Sequence, residues 1–239
     1  MIRTIEDHKP DVGTNINRRK LSVTVFYRFI SAIIILGLIF FLPAGTTEYW
    51  EAWVYMSILF IPGFFVTLFF LIKDPRLVVL RMKTKEKEEK QKTIMNWFYV
   101  LLFITFLITG FDKRFEWSSV PLWMIIIADV SVLAGYALFI IVLWENRHAS
   151  RIIEVEQGQK VVTTGLYAIV RHPMYLALSI MYAFSPLSLG SYLAMIPSVF
   201  MLLVLIARIR NEEEVLIREL RGYEEYTMKV RYRIIPKIW

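Results

Sequence analysis

The chain has 239 residues, of which 56% are hydrophobic and 15% aromatic, and it carries a formal net charge of +7. Its mean hydropathy is +0.51. Those values, with several apolar runs of about 20 residues, define an integral membrane protein and exclude an ordinary soluble core. Zero cysteines exclude disulfides, thiolate metal sites and a cysteine nucleophile. Three histidines (His8, His148, His172) are too few for a histidine-built centre, so no metal is expected.

Residues 1–20 are too polar for a secretory signal, and the first apolar run is long enough to stay in the membrane. Six spans are predicted, at 21–42, 52–72, 94–111, 120–144, 173–187 and 191–209. The first four reach the ~17–25 residues that cross a ~30 Å hydrocarbon layer. The last two are shorter and imply tilt or local thinning of the bilayer. With both termini cytoplasmic, 26 of the 28 basic residues fall on the inner side, and only Lys113 and Arg114 face outward. That asymmetry sets an N-in, C-in topology. It also accounts for the positive charge without nucleic acid, which is not expected as a partner. The mixed-charge stretch 81–92 reads as a solvated segment lying over anionic headgroups.

The predicted fold is therefore all-α, a polytopic bundle of about six transmembrane helices with a cytoplasmic C-terminal arm closing a pocket. Residues 1–144 form four spans. Residues 145–239 form a two-helix hairpin and the arm.

Two polar clusters flank that hairpin. The first runs Gly165-Leu166-Tyr167-Ala168-Ile169-Val170-Arg171-His172-Pro173-Met174-Tyr175, and the second Arg208-Ile209-Arg210-Asn211-Glu212-Glu213. A hairpin returns the chain to the side it left, so His172 and Tyr175 approach Arg208 and Glu212. Charged groups at membrane helix ends mark a functional site by default. Gly165 allows a turn conformation that other residues resist. Pro173 suits the first turn of a helix, whose free N–H groups can receive an anionic group. Taken singly, Arg171 is also consistent with snorkelling, and Tyr167 and Tyr175 with an interfacial belt. Arg208 and Glu212, four apart, share a helix face, and as an isolated pair would be worth only a few tenths of a kcal/mol. Glu213 points ~100° away, toward solvent or an opposite wall. Asp129, deep in the fourth span, reads equally as a functional acid or as a neutral one bonded to a neighbouring helix. Glu145, Asn146, Arg147 and His148 either border an acceptor entrance or cap the helix.

The run Val161-Val162-Thr163-Thr164-Gly165-Leu166-Tyr167, then Arg171-His172-Pro173-Met174-Tyr175, then Arg208-x-x-x-Glu212-Glu213-x-x-Leu216, then Gly222-Tyr223-x-x-Tyr226 and Ile235-Pro236, resembles the isoprenylcysteine carboxyl methyltransferase and phospholipid methyltransferase superfamily. The Leu-Arg-Gly-Tyr form of the arm is similar to the prokaryotic branch, which implies a prokaryotic cytoplasmic membrane. The resemblance covers residues 145–239. It implies an S-adenosylmethionine-dependent methyltransferase acting on a lipophilic acceptor that reaches the site from the bilayer. By that resemblance Lys160, Val161, Val162, Tyr167, His172, Pro173, Met174, Tyr175 and Glu212 hold the cofactor. Arg208 binds the acceptor carboxylate, and Arg208 and Glu212 are the catalytic pair. Gln159-Lys160 departs from the His-Thr pair of the eukaryotic branch, so that wall differs. The acceptor is expected to be a carboxylate, as in isoprenylcysteine O-methylation. The alternatives are a lipid amine, or a different chemistry, that of an NADPH-dependent membrane reductase of the steroid 5α-reductase type. The reductase would need more basic residues for a 2′-phosphate than stand near 160–175. A transporter is disfavoured by the lack of paired repeats with broken helices.

Overall fold

The computed structural model describes residues 17–239 except 85, 87, 148, 149, 154, 156 and 157. His8, His148 and most of the N-terminal basic segment lie outside the described residues. Among those described, the regular structure is helical. Four long helices come first with a short one between them: α1 (Arg18–Ala44), α2 (Trp50–Lys73), α3 (Pro75–Met82), α4 (Glu89–Phe115) and α5 (Leu122–Glu145). A 3₁₀ turn at Gly165–Ala168 precedes α6 (Pro173–Ser188), α7 (Met195–Glu219) and α8 (Tyr223–Lys229).

The boundaries follow from local chemistry. Asn17 caps α1 by accepting from the Lys20 N–H at 3.0 Å, and Gly45 closes it in the left-handed region. Asp74 ends α2 and caps α3 through the Leu77 N–H, with Pro75 in its first turn. Helices α1, α2, α4 and α5 are long and apolar enough to cross a membrane. They turn side chains such as Phe26, Ile35, Phe65, Phe103 and Ile127 outward, as lipid contact requires.

The six predicted spans are thus four full-length spans and two of a different kind. Helix α6 has 16 residues, about 24 Å, which falls short of a ~30 Å core. Helix α7 begins at Met195, not 191, because the chain turns through Gly190 and Ser191. Its second half then leaves the apolar region with Arg208, Arg210 and the acidic run attached. Helix α6 packs along α5, and α7 along α4. At Gly135 of α5 an added Cβ would sit 3.0 Å from the Ala177 carbonyl of α6, so any larger residue would push the two helices apart.

At the end bearing Lys113 the helices are stitched by polar groups. Asp112 accepts from the Ser118 N–H and hydroxyl, both at 2.7 Å, and from the Ser191 hydroxyl. Lys113 pairs with Glu51 at 3.2 Å. Asp129 accepts from Ser188 of α6, so the acid in the fourth span joins two helices. The opposite end carries the cavity.

Candidate active site

Cavity walls come from four pieces of chain that meet at the non-Lys113 end: the α5–α6 loop, the start of α6, the outgoing half of α7 and the arm after it. The cavity encloses about 870 Å³, part of it open to solvent. Lys160, Val161, Val162, Tyr167, His172, Met174, Tyr175, Arg208 and Glu212 all line it. Pro173 does not; it is buried in the first turn of α6, behind His172.

The loop reaches this position through Gly165, at φ +56°. An added Cβ there would fall 2.2 Å from the Glu145 carboxylate, which accepts from the Leu166 N–H at 2.9 Å. Conformation and space both demand glycine. Asn146 donates to the Tyr167 hydroxyl at 3.0 Å, and Tyr226 of the arm donates to the Tyr167 carbonyl at 2.6 Å. Glu145 and Asn146 therefore brace the loop from the end of α5.

Arg208 and Glu212 do not pair directly. The Tyr175 hydroxyl stands between them, accepting from Arg208 Nε at 2.7 Å and donating to Glu212. The remaining guanidinium nitrogens are also engaged, Nη1 with Glu86 at 3.2 Å and Nη2 with the Arg151 carbonyl at 2.8 Å. The buried Gln91 carboxamide lies 2.7 Å from Arg208 and 3.0 Å from Asn211. Glu86 belongs to the stretch read as solvated, yet its side chain is only 8% exposed, because it also receives the Ile153 N–H. A neutralising partner for Arg208 was available 122 residues away, and burial beside it outweighs hydration.

His172 takes a different acid. Its Nε2 lies 3.2 Å from Glu213, which also accepts from Arg171 Nε at 2.6 Å and Arg233 Nε at 2.7 Å. Glu213 is buried, not solvent-facing. Burial alone would raise its carboxyl; the hydrogen bonds from His172, Arg171 and Arg233 win and hold it at about 2. The same node docks the arm. Arg171 Nη1 donates to the carbonyls of Val230 and Arg231, and the N–H groups of Arg171 and His172 donate to Tyr232 and Arg233 at 2.9 and 2.8 Å.

Helix α8 and the end of α7 complete the wall with Leu216, Leu220, Tyr223 and Tyr226. Sequence reading assigned no role to Tyr223. It is 4% exposed, and its hydroxyl has no hydrogen-bond partner among the described residues. Burial, then the nearby Glu213 and Glu212 carboxylates, push that hydroxyl upward, so it stays protonated and can donate. An orphaned buried donor lining a cavity points to a ligand acceptor. Its place two residues after Arg221, in the Gly-Tyr-x-x-Tyr pattern, was the available signal.

Fold and cavity together define an all-helical membrane protein with a polar, acid-bearing pocket where a helix hairpin returns to its starting side. Residues 124–218 match the model of the isoprenylcysteine carboxyl methyltransferase (ICMT) family. The whole fold is similar to that of a eukaryotic intramembrane Ras methyltransferase, ICMT, with a TM-score of 0.53 and 17% identity over 94% of this chain and 88% of the other. Among curated proteins, a Delta(14)-sterol reductase from Methylotuvimicrobium alcaliphilum is 28% identical over 137 residues. That match takes in 51% of this chain and 32% of the reductase, so the chain spans about a third of the relative's length.

Proposed function

We propose that this chain is a membrane methyltransferase that uses S-adenosylmethionine to methylate a lipophilic acceptor, most simply a carboxylate. The observation that carries the reading is the Glu212 carboxylate, held by Tyr175 beside Arg208 on the wall of a cavity made by the family-matched loop and helices. When bound, S-adenosylmethionine supplies an already activated methyl group on a cationic sulfonium.

The residues present fit that cofactor. Glu212 offers a carboxylate to a cationic amino group or ribose hydroxyls, and Tyr223 a free hydroxyl donor. Lys160, Val161, Val162, Tyr167, His172 and Met174 supply the remaining wall. Pro173 acts behind them by fixing the start of α6, and Tyr175 by orienting Glu212. Arg208 provides positive charge where an acceptor carboxylate would arrive, in exchange for part of its contact with Glu86. Methylating a carboxylate converts an anion to a neutral ester and releases no proton. The chain then needs no general base, only a site that aligns the reactants. An amine acceptor would first lose a proton, and Glu212 is the carboxylate in reach of that task. With the basic residues inward, the cavity opens to the cytoplasm, and a prokaryotic cytoplasmic membrane is the setting the sequence pattern favours.

The reductase relative gives the second reading. Its cofactor would bring several phosphates to a wall that carries Glu212 and whose Arg171 is already committed to Glu213. Like charges facing one another disfavour it. Equilibrium binding of labelled S-adenosylmethionine and of NADPH to detergent-purified protein tests the choice. Saturable binding of the first alone is expected; binding of NADPH alone would replace the methyltransferase with a reductase.

A further inference from the structure

A second cavity, of about 950 Å³ with part of it open to the surroundings, lies between α1, α2, α3 and α5. Its lining is apolar (Phe70, Val78, Tyr136 and Leu143 among others) apart from Thr67 and two arginines, Arg28 and Arg81. No acid lines it among the described residues. Arg28 Nη1 is bound to the Met82 carbonyl at 2.8 Å. The Arg81 guanidinium lies 5.2 Å from the centre of the Phe139 ring.

Arg81 joins the two cavities. Its Nη1 contacts the Ser150 carbonyl at 3.2 Å and the Met174 sulfur at 3.6 Å, and both of those residues line the polar cavity. Met174 in turn packs on the cluster of Leu77, Val78, Phe70 and Leu143 that floors the groove. Every described arginine that lines the polar cavity has a carboxylate partner, Arg171 in Glu213 and Arg208 in Glu86. Arg81 has none among the described residues. Burial, and repulsion from Arg151 and Arg208, lower it to about 10, against an ordinary value of 12.5. A guanidinium so placed favours the arrival of an anion.

Resting on the methyltransferase reading, we infer that the groove between α1, α2, α3 and α5 holds the tail of a single-chain amphiphile with a carboxylate head, and that Arg81 receives that head at the junction with the polar cavity, before Arg208 orients it for methyl transfer. The groove supplies an apolar berth, the arginine a charge that only an acidic head complements, and Met174 the shared wall through which head and cofactor site meet. Methylation would abolish the head's charge, leaving an ester for which Arg81 has no electrostatic preference, and the product would return to the bilayer. A lipid amine would meet repulsion at the same point.

Photoreactive stearic acid with a mid-chain diazirine, and the matching C18 alcohol and amine, test this on protein in phosphatidylcholine nanodiscs. The acid should label α2, α3 and α5 within the groove in preference to alcohol and amine. Arg81→Gln should cut acid labelling about tenfold while alcohol labelling persists, the scale of a lost charge-assisted bond. Arg81→Lys should retain most of it. Equal labelling by acid and alcohol, preference for the amine, crosslinks elsewhere, or an unaffected Arg81→Gln would each overturn the inference. So would loss of acid and alcohol labelling together in both variants. S-adenosylmethionine binding, measured on the same samples, keeps the two claims apart. Binding without acid-selective labelling removes the groove assignment alone, and acid-selective labelling without binding removes the methyltransferase reading.

Discussion

Glu212 and Glu213 are consecutive on α7 and face opposite tasks. Glu212 is held by the Tyr175 hydroxyl on the cavity wall, whereas Glu213 is buried under Arg171, His172 and Arg233. A helix turns ~100° per residue, so neighbouring acids can serve two sides of one wall.

The pair should therefore separate by mutation. Glu213→Gln strips the buried Arg171 and the part-exposed Arg233 of their anion and should cost about 3–5 kcal/mol, loosening the arm. Limited proteolysis after residue 219 and a lowered Tm would register it. Glu212→Gln should leave Tm within about 2 °C, since Glu212 is partly exposed on the cavity wall and a neutral amide oxygen can still accept from the Tyr175 hydroxyl.

Acid should act through Glu213. Its carboxyl is lowered from 4.5 to about 2, so its stabilisation is complete above the unfolded value and is lost as pH falls from about 4.5 through 2. The difference corresponds to roughly 3 kcal/mol at neutral pH. Arm docking, followed by the fluorescence of Trp239 stacked with Arg233, should be flat from pH 8 to 5 and decline below 4.5. Glu213→Gln should show no such decline; one of equal size in that variant would place the titration elsewhere.

Tyr223→Phe removes a hydroxyl with no protein partner. Stability should stay the same or rise slightly, because a buried donor is no longer unsatisfied. Affinity for S-adenosylmethionine should fall about five- to tenfold, the scale of one hydrogen bond. A destabilised variant with unchanged affinity would make the hydroxyl structural.

Gly165→Ala meets two obstacles, the left-handed φ and the Glu145 carboxylate 2.2 Å from the new Cβ. The backbone term alone is about 1–2 kcal/mol. Adding Glu145→Ala should recover only part of the loss in Tm, and full recovery would show that the conformation is not constrained.

Much of the fold and of the cavity lining was legible in the chain because apolar run length and the Arg-His-Pro-x-Tyr and Arg-x-x-x-Glu-Glu spacings are local signals. Contacts across the fold were not. Glu86 reads as one charge in a solvated run, and nothing near it in sequence announces Arg208. Arg208 and Glu212 read as an i,i+4 pair, but the inserted Tyr175 hydroxyl depends on how α6 lies against α7. The short fifth span, read as 173–187, agrees with α6 at Pro173–Ser188, whereas the start of α7 at Met195 depends on the turn through residues 189–194, which hydropathy does not reveal. Pairing of residues 171–172 with 232–233 is made by the backbone, which leaves no side-chain pattern to read.

The most direct measurement takes S-adenosylmethionine affinity and turnover together in Glu212→Gln and Arg208→Ala. Glu212→Gln should raise the dissociation constant at least tenfold, the scale of a lost charged hydrogen bond. Arg208→Ala should leave the dissociation constant within about threefold and depress turnover on a carboxylate acceptor, because orientation of the acceptor is what it loses. Arg208→Ala abolishing cofactor binding while Glu212→Gln binds normally would contradict the account.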